Sequence, residues 1–191
     1  MINKHDIHPE ADELSRSKRI LIPPALPEGR LEVDFQAVKS ILPHRPPFLC
    51  VDKVIVLRDR VIGVLEVNPA ACVGFCFRGA DDMFFMGTLI TEMAIQLLGI
   101  YGAQFPDLRR LRREFALVEH GIGRFRKSIK AGDKVQMELP TKEVYVRGSP
   151  DSKRFLVEGY NFVAKIDGDE RATCSHVKLL ATLATIAEPR P

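Results

Sequence analysis

The sequence has little cysteine and no apolar run near its first residue. Its four cysteines, Cys50, Cys72, Cys76 and Cys174, make no disulfide framework in a chain of 191 residues and are typical of a reducing compartment. Cys72 and Cys76 lie four positions apart without a second pair, which is too little for a zinc site. Residues 1–19 are polar and lack the apolar core of a secretory signal. We therefore predict a cytoplasmic protein without a cofactor or a bound metal.

A strong net charge is also lacking. The net charge is +3, and no aromatic platform is interleaved with the basic residues, so nucleic-acid binding is not indicated. Hydrophobic residues make up 46% and charged residues 28% of the chain, which is typical of a globular protein. The basic residues nevertheless cluster, and such clusters most often form a solvated face. The clusters are Arg109, Arg110, Arg112 and Arg113, and then Arg124, Arg126 and Lys127.

The longest mostly apolar stretch is residues 86–104. Its apolar residues recur at steps of three and four, which predicts a helix that is buried over most of its circumference. A polar stripe interrupts this surface, because Thr88, Glu92 and Gln96 lie four residues apart and share one face. A carboxylate inside such a helix costs free energy unless it is paired or used, so Glu92 is the strongest functional candidate. The carboxylate and the amide also argue against a membrane span.

The pattern outside this stretch predicts one short helix and many strands. Asp34 is expected to cap a helix at residues 35–42, which Pro43 ends. A buried helix followed by hairpin-linked strands indicates an α+β fold with an antiparallel sheet packed on the helix. The predicted strands are 49–57, 60–67, 115–118, 123–129, 134–139, 144–147, 154–164 and 171–183. The expected division is an extended arm at 1–33, one domain at 34–185 and a tail at 186–191.

Three local sequences resemble those of a known family. Residues 41–53, ILPHRPPFLCVDK, are similar to the opening LPHRxPFLLVDR of the hot-dog-fold 3-hydroxyacyl-acyl-carrier-protein dehydratases. Residues 92–96, EMAIQ, are similar to the family's helix motif EAMAQ, and residues 124–133, RFRKSIKAGD, to its RFxRPVxPGD. The resemblance covers residues 34–183. It implies an antiparallel sheet wrapped around one long central helix, and a dimer in which two sheets join edge to edge.

The resemblance also implies an acyl-thioester site at the dimer interface. In the family, an acidic residue on the helix handles the leaving hydroxyl, a histidine of the other subunit takes the proton next to the thioester carbonyl, and an amide at the helix start polarises that carbonyl. Carried over by position, the acid is Glu92 and the amide is that of Gly87. Arg78 stands where the family has histidine, and Cys76 and Phe77 adjoin it as further substrate-binding candidates. Because arginine stays protonated, we expect the chain alone to bind acyl thioesters and to dehydrate them slowly or not at all.

Each remaining candidate has a structural alternative. Glu92 is either catalytic or a buried carboxylate paired with Arg78. Thr88 either contacts substrate or caps the helix. Gln96 either contacts substrate or hydrogen-bonds to backbone inside the core. His44 precedes two prolines at the end of an element, and this position favours a structural role over that of a base.

Three functions fit the resemblance. The first is a dehydratase-like protein that acts on or binds carrier-tethered acyl thioesters in fatty-acid or polyketide-type biosynthesis. The second is a thioesterase, in which the helix carboxylate activates water without a histidine. The third is a non-catalytic subunit of a heterodimeric dehydratase whose partner supplies the histidine. The expected partners are acyl carrier protein or a coenzyme A thioester, and an identical or different hot-dog subunit. The basic clusters are expected to dock the acidic carrier protein.

Overall fold

The computed structural model describes residues 26, 29–46, 48–68, 76–78, 83–85, 87–105, 113–149 and 154–183. At 76–78, 83–85, 113–115, 149 and 183, it describes the backbone alone. The α-helices are α1 Phe35–Ile41 and α2 Gly87–Gly102, and a 3₁₀ turn spans Thr141–Glu143. The strands are β1 Arg30–Val33, β2 Lys53–Leu57, β3 Arg60–Glu66, β4 Cys76–Arg78, β5 Met83–Phe85, β6 Arg113–His120, β7 Gly123–Phe125, β8 Lys134–Pro140, β9 Val144–Ser149, β10 Arg154–Ile166 and β11 Asp169–Leu183.

Nine of these strands form one sheet in which every pairing is antiparallel. Its order is β1-β2-β3-β8-β10-β11-β6, with β9 also paired to β10 and β7 also paired to β11. Burial alternates along β2, β3 and β8, so one face of each strand points into the core. β4 and β5 form a separate two-stranded hairpin. The predicted antiparallel sheet is therefore confirmed.

The apolar residues of α2 are buried against this sheet. Met93, Leu97 and Leu98 are each 0% exposed. Two glycines of the sheet allow the helix to approach closely. A Cβ placed on Gly63 would lie 3.1 Å from Leu97 Cδ1, and one on Gly159 would lie 2.9 Å from Leu98 Cδ1. The helix predicted at residues 86–104 is thus present and seated on the sheet.

Helix α1 begins and ends as its sequence predicts. The Asp34 side chain accepts a hydrogen bond of 2.9 Å from the Ala37 amide, which satisfies one of the free N–H groups of the first turn. Leu42 caps the other end, and Pro43 follows it. The chain then enters a loop at residues 42–52 that leads to β2 and passes beside α2.

The predicted strands are present, with ends that differ by a few residues. β2 begins at Lys53 rather than at residue 49, and β7 ends at Phe125 rather than at residue 129. Before the predicted domain, Arg30–Val33 already pairs with β2, so the sheet starts within the residues assigned to the arm. Of residues 70–86, only the short β4–β5 hairpin is described. In the described part of the chain, no helix is both long and apolar enough to cross a membrane.

Candidate functional site

Gln96 ties helix α2 to the loop at residues 42–52. Its Nε2 donates a hydrogen bond of 2.6 Å to the Phe48 carbonyl, and its Oε1 accepts one of 2.8 Å from the Cys50 amide. The residue is 1% exposed, so these bonds replace the water that its buried amide has lost. The structure therefore favours the core hydrogen-bonding interpretation of Gln96 over a substrate contact.

Glu92 lies one helical turn before Gln96 and shares its amide. Gln96 Nε2 donates a second hydrogen bond, of 2.8 Å, to Glu92 Oε1. The Glu92 side chain is 28% exposed. Gln96 thus orients the carboxylate from the core side, and the other side of the carboxylate is exposed to solvent. This geometry confirms that Glu92 and Gln96 share one face of the helix.

His44, in the loop at residues 42–52, is an ionisable side chain that lies next to Glu92. Its Nε2 lies 3.5 Å from Glu92 Oε1, and its side chain is 35% exposed. Its Nδ1 is buried and has no hydrogen-bond partner among the described residues. Arg45 stiffens the same loop by donating hydrogen bonds of 3.0 Å to the Leu42 carbonyl and 2.6 Å to the His44 carbonyl. A carboxylate and an imidazole at this separation can exchange a proton through a small movement.

The polar stripe on α2 runs from solvent into the core. Thr88 is exposed, Glu92 is half-buried and Gln96 is buried. Thr88 is the second residue of the helix rather than the residue before it, so its position does not suit an N-cap. The outer part of the stripe, at Thr88 and Glu92, is the part that a ligand can reach.

Two cavities lie at the two ends of α2. The one at the helix start holds about 410 Å³ and is lined by Gly87, Ile90, Phe125, Arg126, Lys127, Ser128 and Ile129. A Cβ on Gly87 would lie 2.9 Å from the Phe125 ring, so the aromatic ring packs directly on the first turn. The one at the helix end holds about 510 Å³, and Tyr101 is part of its wall. Burial raises the pKa of Tyr101 to about 12, which keeps its hydroxyl protonated.

The second basic cluster is exposed, but two of its members are paired. Arg126 Nε lies 2.7 Å from Glu170 Oε1, and Lys127 Nζ lies 2.8 Å from Asp169 Oδ2. The hydrogen bond from Lys127 lowers the pKa of Asp169. Arg124 is exposed and forms no ion pair with the described residues. Of the first cluster, Arg109, Arg110 and Arg112 lie outside the described residues, and Arg113 is described by its backbone alone.

The residues proposed at the family's histidine position lie in β4. Arg78 pairs with Met83 across the β4–β5 hairpin, and Phe77 pairs with Phe84. The side chains of Cys76, Phe77 and Arg78 lie outside the described part of the structure. Their roles therefore stay predictions.

The sequence patterns did not predict the contact between His44 and Glu92. The two residues are 48 positions apart, and nothing in either local pattern places them together. A signal was present in the two motifs, residues 41–53 and 92–96, which the resemblance had already singled out. The Gln96 bridge is the physical link between these motifs.

Comparison with known proteins identifies the family. No family model matches the chain. It is 31% identical over 114 residues to the 3-hydroxyacyl-[acyl-carrier-protein] dehydratase FabZ of Bacillus cereus (strain AH820), covering 59% of this chain and 77% of the relative. The chain belongs to the FabZ family. The FabZ of Caldanaerobacter subterraneus is 29% identical over 148 residues, covering 75% of this chain and 95% of the relative. The FabZ of Solibacter usitatus is 32% identical over 111 residues, covering 56% and 65%.

A solved structure supports the same fold for this FabZ-family chain. A chain of the dehydratase heterocomplex ApeI:P from Xenorhabdus doucetiae superposes with a TM-score of 0.53, over 78% of this chain and 91% of that one. The two sequences are 17% identical, so the likeness concerns the hot-dog fold.

Proposed function

We propose that this chain binds 3-hydroxyacyl thioesters of acyl carrier protein and takes part in their dehydration to enoyl thioesters in the cytoplasm. The observation that carries the proposal is the Glu92 carboxylate, which is half-exposed on a buried helix and oriented by Gln96. Membership of the FabZ family supports the choice of substrate and reaction.

The proposed chemistry assigns one proton to Glu92. A general base takes the C2 proton of the substrate, the C2–H electron pair forms the C2=C3 double bond, and the C3–O bond breaks towards oxygen. Protonated Glu92 gives its proton to that oxygen, which leaves as water. The free amide of Gly87, at the start of α2, polarises the thioester carbonyl. Thr88 lies on the exposed side of the same turn and contacts the acyl chain.

A second hot-dog subunit is proposed at the edge formed by β6 and β7. Each of these strands pairs only with β11 among the described strands, so their other sides carry unpaired backbone groups. Large apolar side chains are exposed along this edge: Leu117 is 41%, Ile122 is 72% and Phe125 is 51% exposed. Pairing of two such edges would cover both the backbone and the apolar groups. A monomer in sedimentation equilibrium at micromolar concentration would contradict this assembly.

Docking of the acyl carrier protein is proposed on the second basic cluster, which consists of Arg124, Arg126 and Lys127. Because Arg126 and Lys127 are already paired with Glu170 and Asp169, Arg124 has the charge most available to an acidic partner. Arg124→Glu is expected to weaken carrier binding and to flatten its salt dependence. Lys134→Glu, which makes the same charge change at an exposed residue of β8, is the matched control. Equal effects of the two variants would mean that net charge, rather than this cluster, governs binding.

The deciding experiment offers the purified protein two substrates on acyl carrier protein, a 3-hydroxyacyl and a saturated acyl thioester. Mass spectrometry of the carrier follows the products. Loss of 18 mass units, the mass of water, from the 3-hydroxyacyl carrier supports dehydration. Release of free carrier thiol from either substrate would instead support the thioesterase. Absence of both binding and turnover for each substrate, with and without other hot-dog subunits, would contradict the proposed function.

A further inference from the structure

The chain carries two proton-exchanging groups within one site. Glu92 comes from α2, and His44 comes from the loop at residues 42–52 of the same chain. The atoms that face each other, Nε2 and Oε1, are 3.5 Å apart. This distance is longer than a hydrogen bond of about 2.7–3.2 Å. The imidazole nitrogen is therefore close to the carboxylate but does not form a hydrogen bond with it.

We propose that His44 is the general base that works with Glu92 in the same chain, in place of the histidine that the sequence lacks at Arg78. This inference rests on the proposed dehydration and adds a residue to it. His44 Nε2 takes the C2 proton while Glu92 gives its proton to the C3 hydroxyl. The C2–H electron pair becomes the double bond, and water leaves. The imidazolium then returns its proton to the Glu92 carboxylate across the contact, and both groups regain their starting forms.

The spacing of the two groups suits this sequence of steps. C2 and C3 are bonded neighbours, so the proton and the hydroxyl that leave from one face are only a few ångströms apart. Two acid–base atoms at 3.5 Å can reach both from one side of the substrate. Each side chain is about one third exposed, at 35% for His44 and 28% for Glu92, so both are accessible to a ligand.

The surrounding contacts hold both groups in place. Gln96 positions the carboxylate by a bond of 2.8 Å, and it fixes the loop through Phe48 and Cys50. Arg45, the charged residue next to His44, donates from its guanidinium to the carbonyls of Leu42 and His44. The Glu92 carboxylate lies 3.5 Å from the imidazole Nε2.

The test compares His44→Ala and His44→Gln with His120→Ala. His120 is exposed at the end of β6, and its Nδ1 lies 3.2 Å from the Gly121 carbonyl oxygen, so it serves as the matched histidine control. For each protein, dehydration of a 3-hydroxyacyl thioester on acyl carrier protein, binding of the saturated acyl carrier and thermal unfolding are measured. His44→Gln preserves much of the side-chain volume if His44→Ala unfolds.

The expected result is a loss of about 10²–10⁴-fold in kcat for the His44 variants, with acyl-carrier binding unchanged. Added imidazole is expected to restore part of the rate of His44→Ala, which a structural role would not allow. His120→Ala should behave as the wild type. Retained turnover in the His44 variants, or a loss of binding as large as the loss of rate, would overturn the proposal.

The outcome also separates this inference from the proposed function. If the wild-type chain binds the acyl carrier but dehydrates it only after a second hot-dog subunit is added, the in-chain base is wrong and thioester binding stands. If the wild-type chain alone dehydrates the substrate and the His44 variants do so equally well, the function stands and another base is required. If the wild type neither binds nor reacts, both proposals fail together.

Discussion

Two carboxylates of this protein are buried to different degrees and have different neighbours. The Glu158 side chain is 3% exposed and lies on β10 among cations. Arg147 Nε is 3.2 Å from its Oε2, and Lys178 Nζ is 3.9 Å from its Oε1. The Tyr160 hydroxyl donates a bond of 3.2 Å to the same Oε1. Glu92, in contrast, has a neutral amide and an imidazole as its neighbours and remains 28% exposed.

The sheet register assembles the Glu158 cluster. Glu158 lies directly opposite Lys178 on β11, and Lys178 lies opposite Glu119 on β6, so opposite charges alternate across three strands. Lys178 Nζ is 3.0 Å from Glu119 Oε2 and lowers the pKa of that carboxyl. Burial and the Glu158 charge raise the pKa of Tyr160. Each carboxylate of the cluster therefore has a cation close to it.

This contrast separates a structural carboxylate from one that can do chemistry. Glu158 lies between cations and is held by ion pairs inside the fold. A carboxylate beside an amide and an imidazole has a partner with which it can exchange a proton. Burial alone would have ranked Glu158 above Glu92 as a functional candidate, and the identity of the neighbours reverses that order.

The largest expected effect is on activity at Glu92. Glu92→Gln should reduce dehydration by about 10²–10⁴-fold, because the nearly isosteric amide cannot supply the proton. Glu158→Gln should leave the rate of correctly folded protein close to that of the wild type. Initial rates on the 3-hydroxyacyl carrier, with circular dichroism of both variants, measure the difference. Equal losses of rate in the two variants would contradict the distinction between a catalytic Glu92 and a structural Glu158.

Shortening a buried side chain of α2 shows how activity changes when the fold itself is destabilised. Leu97→Ala should lower the free energy of unfolding by about 2–5 kcal/mol, because Leu97 is 0% exposed and packs over Gly63. Residual activity should follow the folded fraction. Chemical denaturation measures the stability change. A cost near zero would show that the helix is not seated on the sheet as described.

A smaller stability effect is expected at Glu158. Glu158→Gln should lower the free energy of unfolding by about 1–3 kcal/mol, since Arg147 and Lys178 lose a charged acceptor in a nearly closed environment. The loss is limited because both cations are about one quarter exposed and can turn towards water. Glu92→Gln should change the unfolding free energy much less. A Glu92 loss that matches the Glu158 loss would assign Glu92 a structural role.

The smallest effect concerns acid stability at Glu119. Because its pKa in the fold lies below the usual 4.5, its contribution is present above about pH 4.5 and is lost as the pH falls through the lowered value. The size should be below about 1 kcal/mol, since the pair is partly exposed. The difference in unfolding free energy between wild type and Glu119→Gln, measured from pH 6 to pH 3, should shrink towards acid. A difference that grows towards acid would contradict the sign.

Local patterns predicted most of the fold of this protein. Alternating burial in the strands and three- and four-residue spacing in α2 reflect the repeat of each backbone, which neighbouring residues specify. The Asp34 cap and the Pro43 stop are likewise local. Strand ends were less predictable, because pairing with another strand decides where a strand stops, as at the start of β2 and the end of β7.

The sequence by itself determined that Glu92 is carried by a buried helix, and the motifs it shares with FabZ pointed to an acyl-thioester site. The tertiary structure decided which groups surround that carboxylate. His44 reaches Glu92 across 48 positions because Gln96 binds the loop backbone, and Glu158 meets its cations because of strand register. Such neighbours depend on how distant segments pack, and the free energy of that packing is not encoded in any short stretch of the chain.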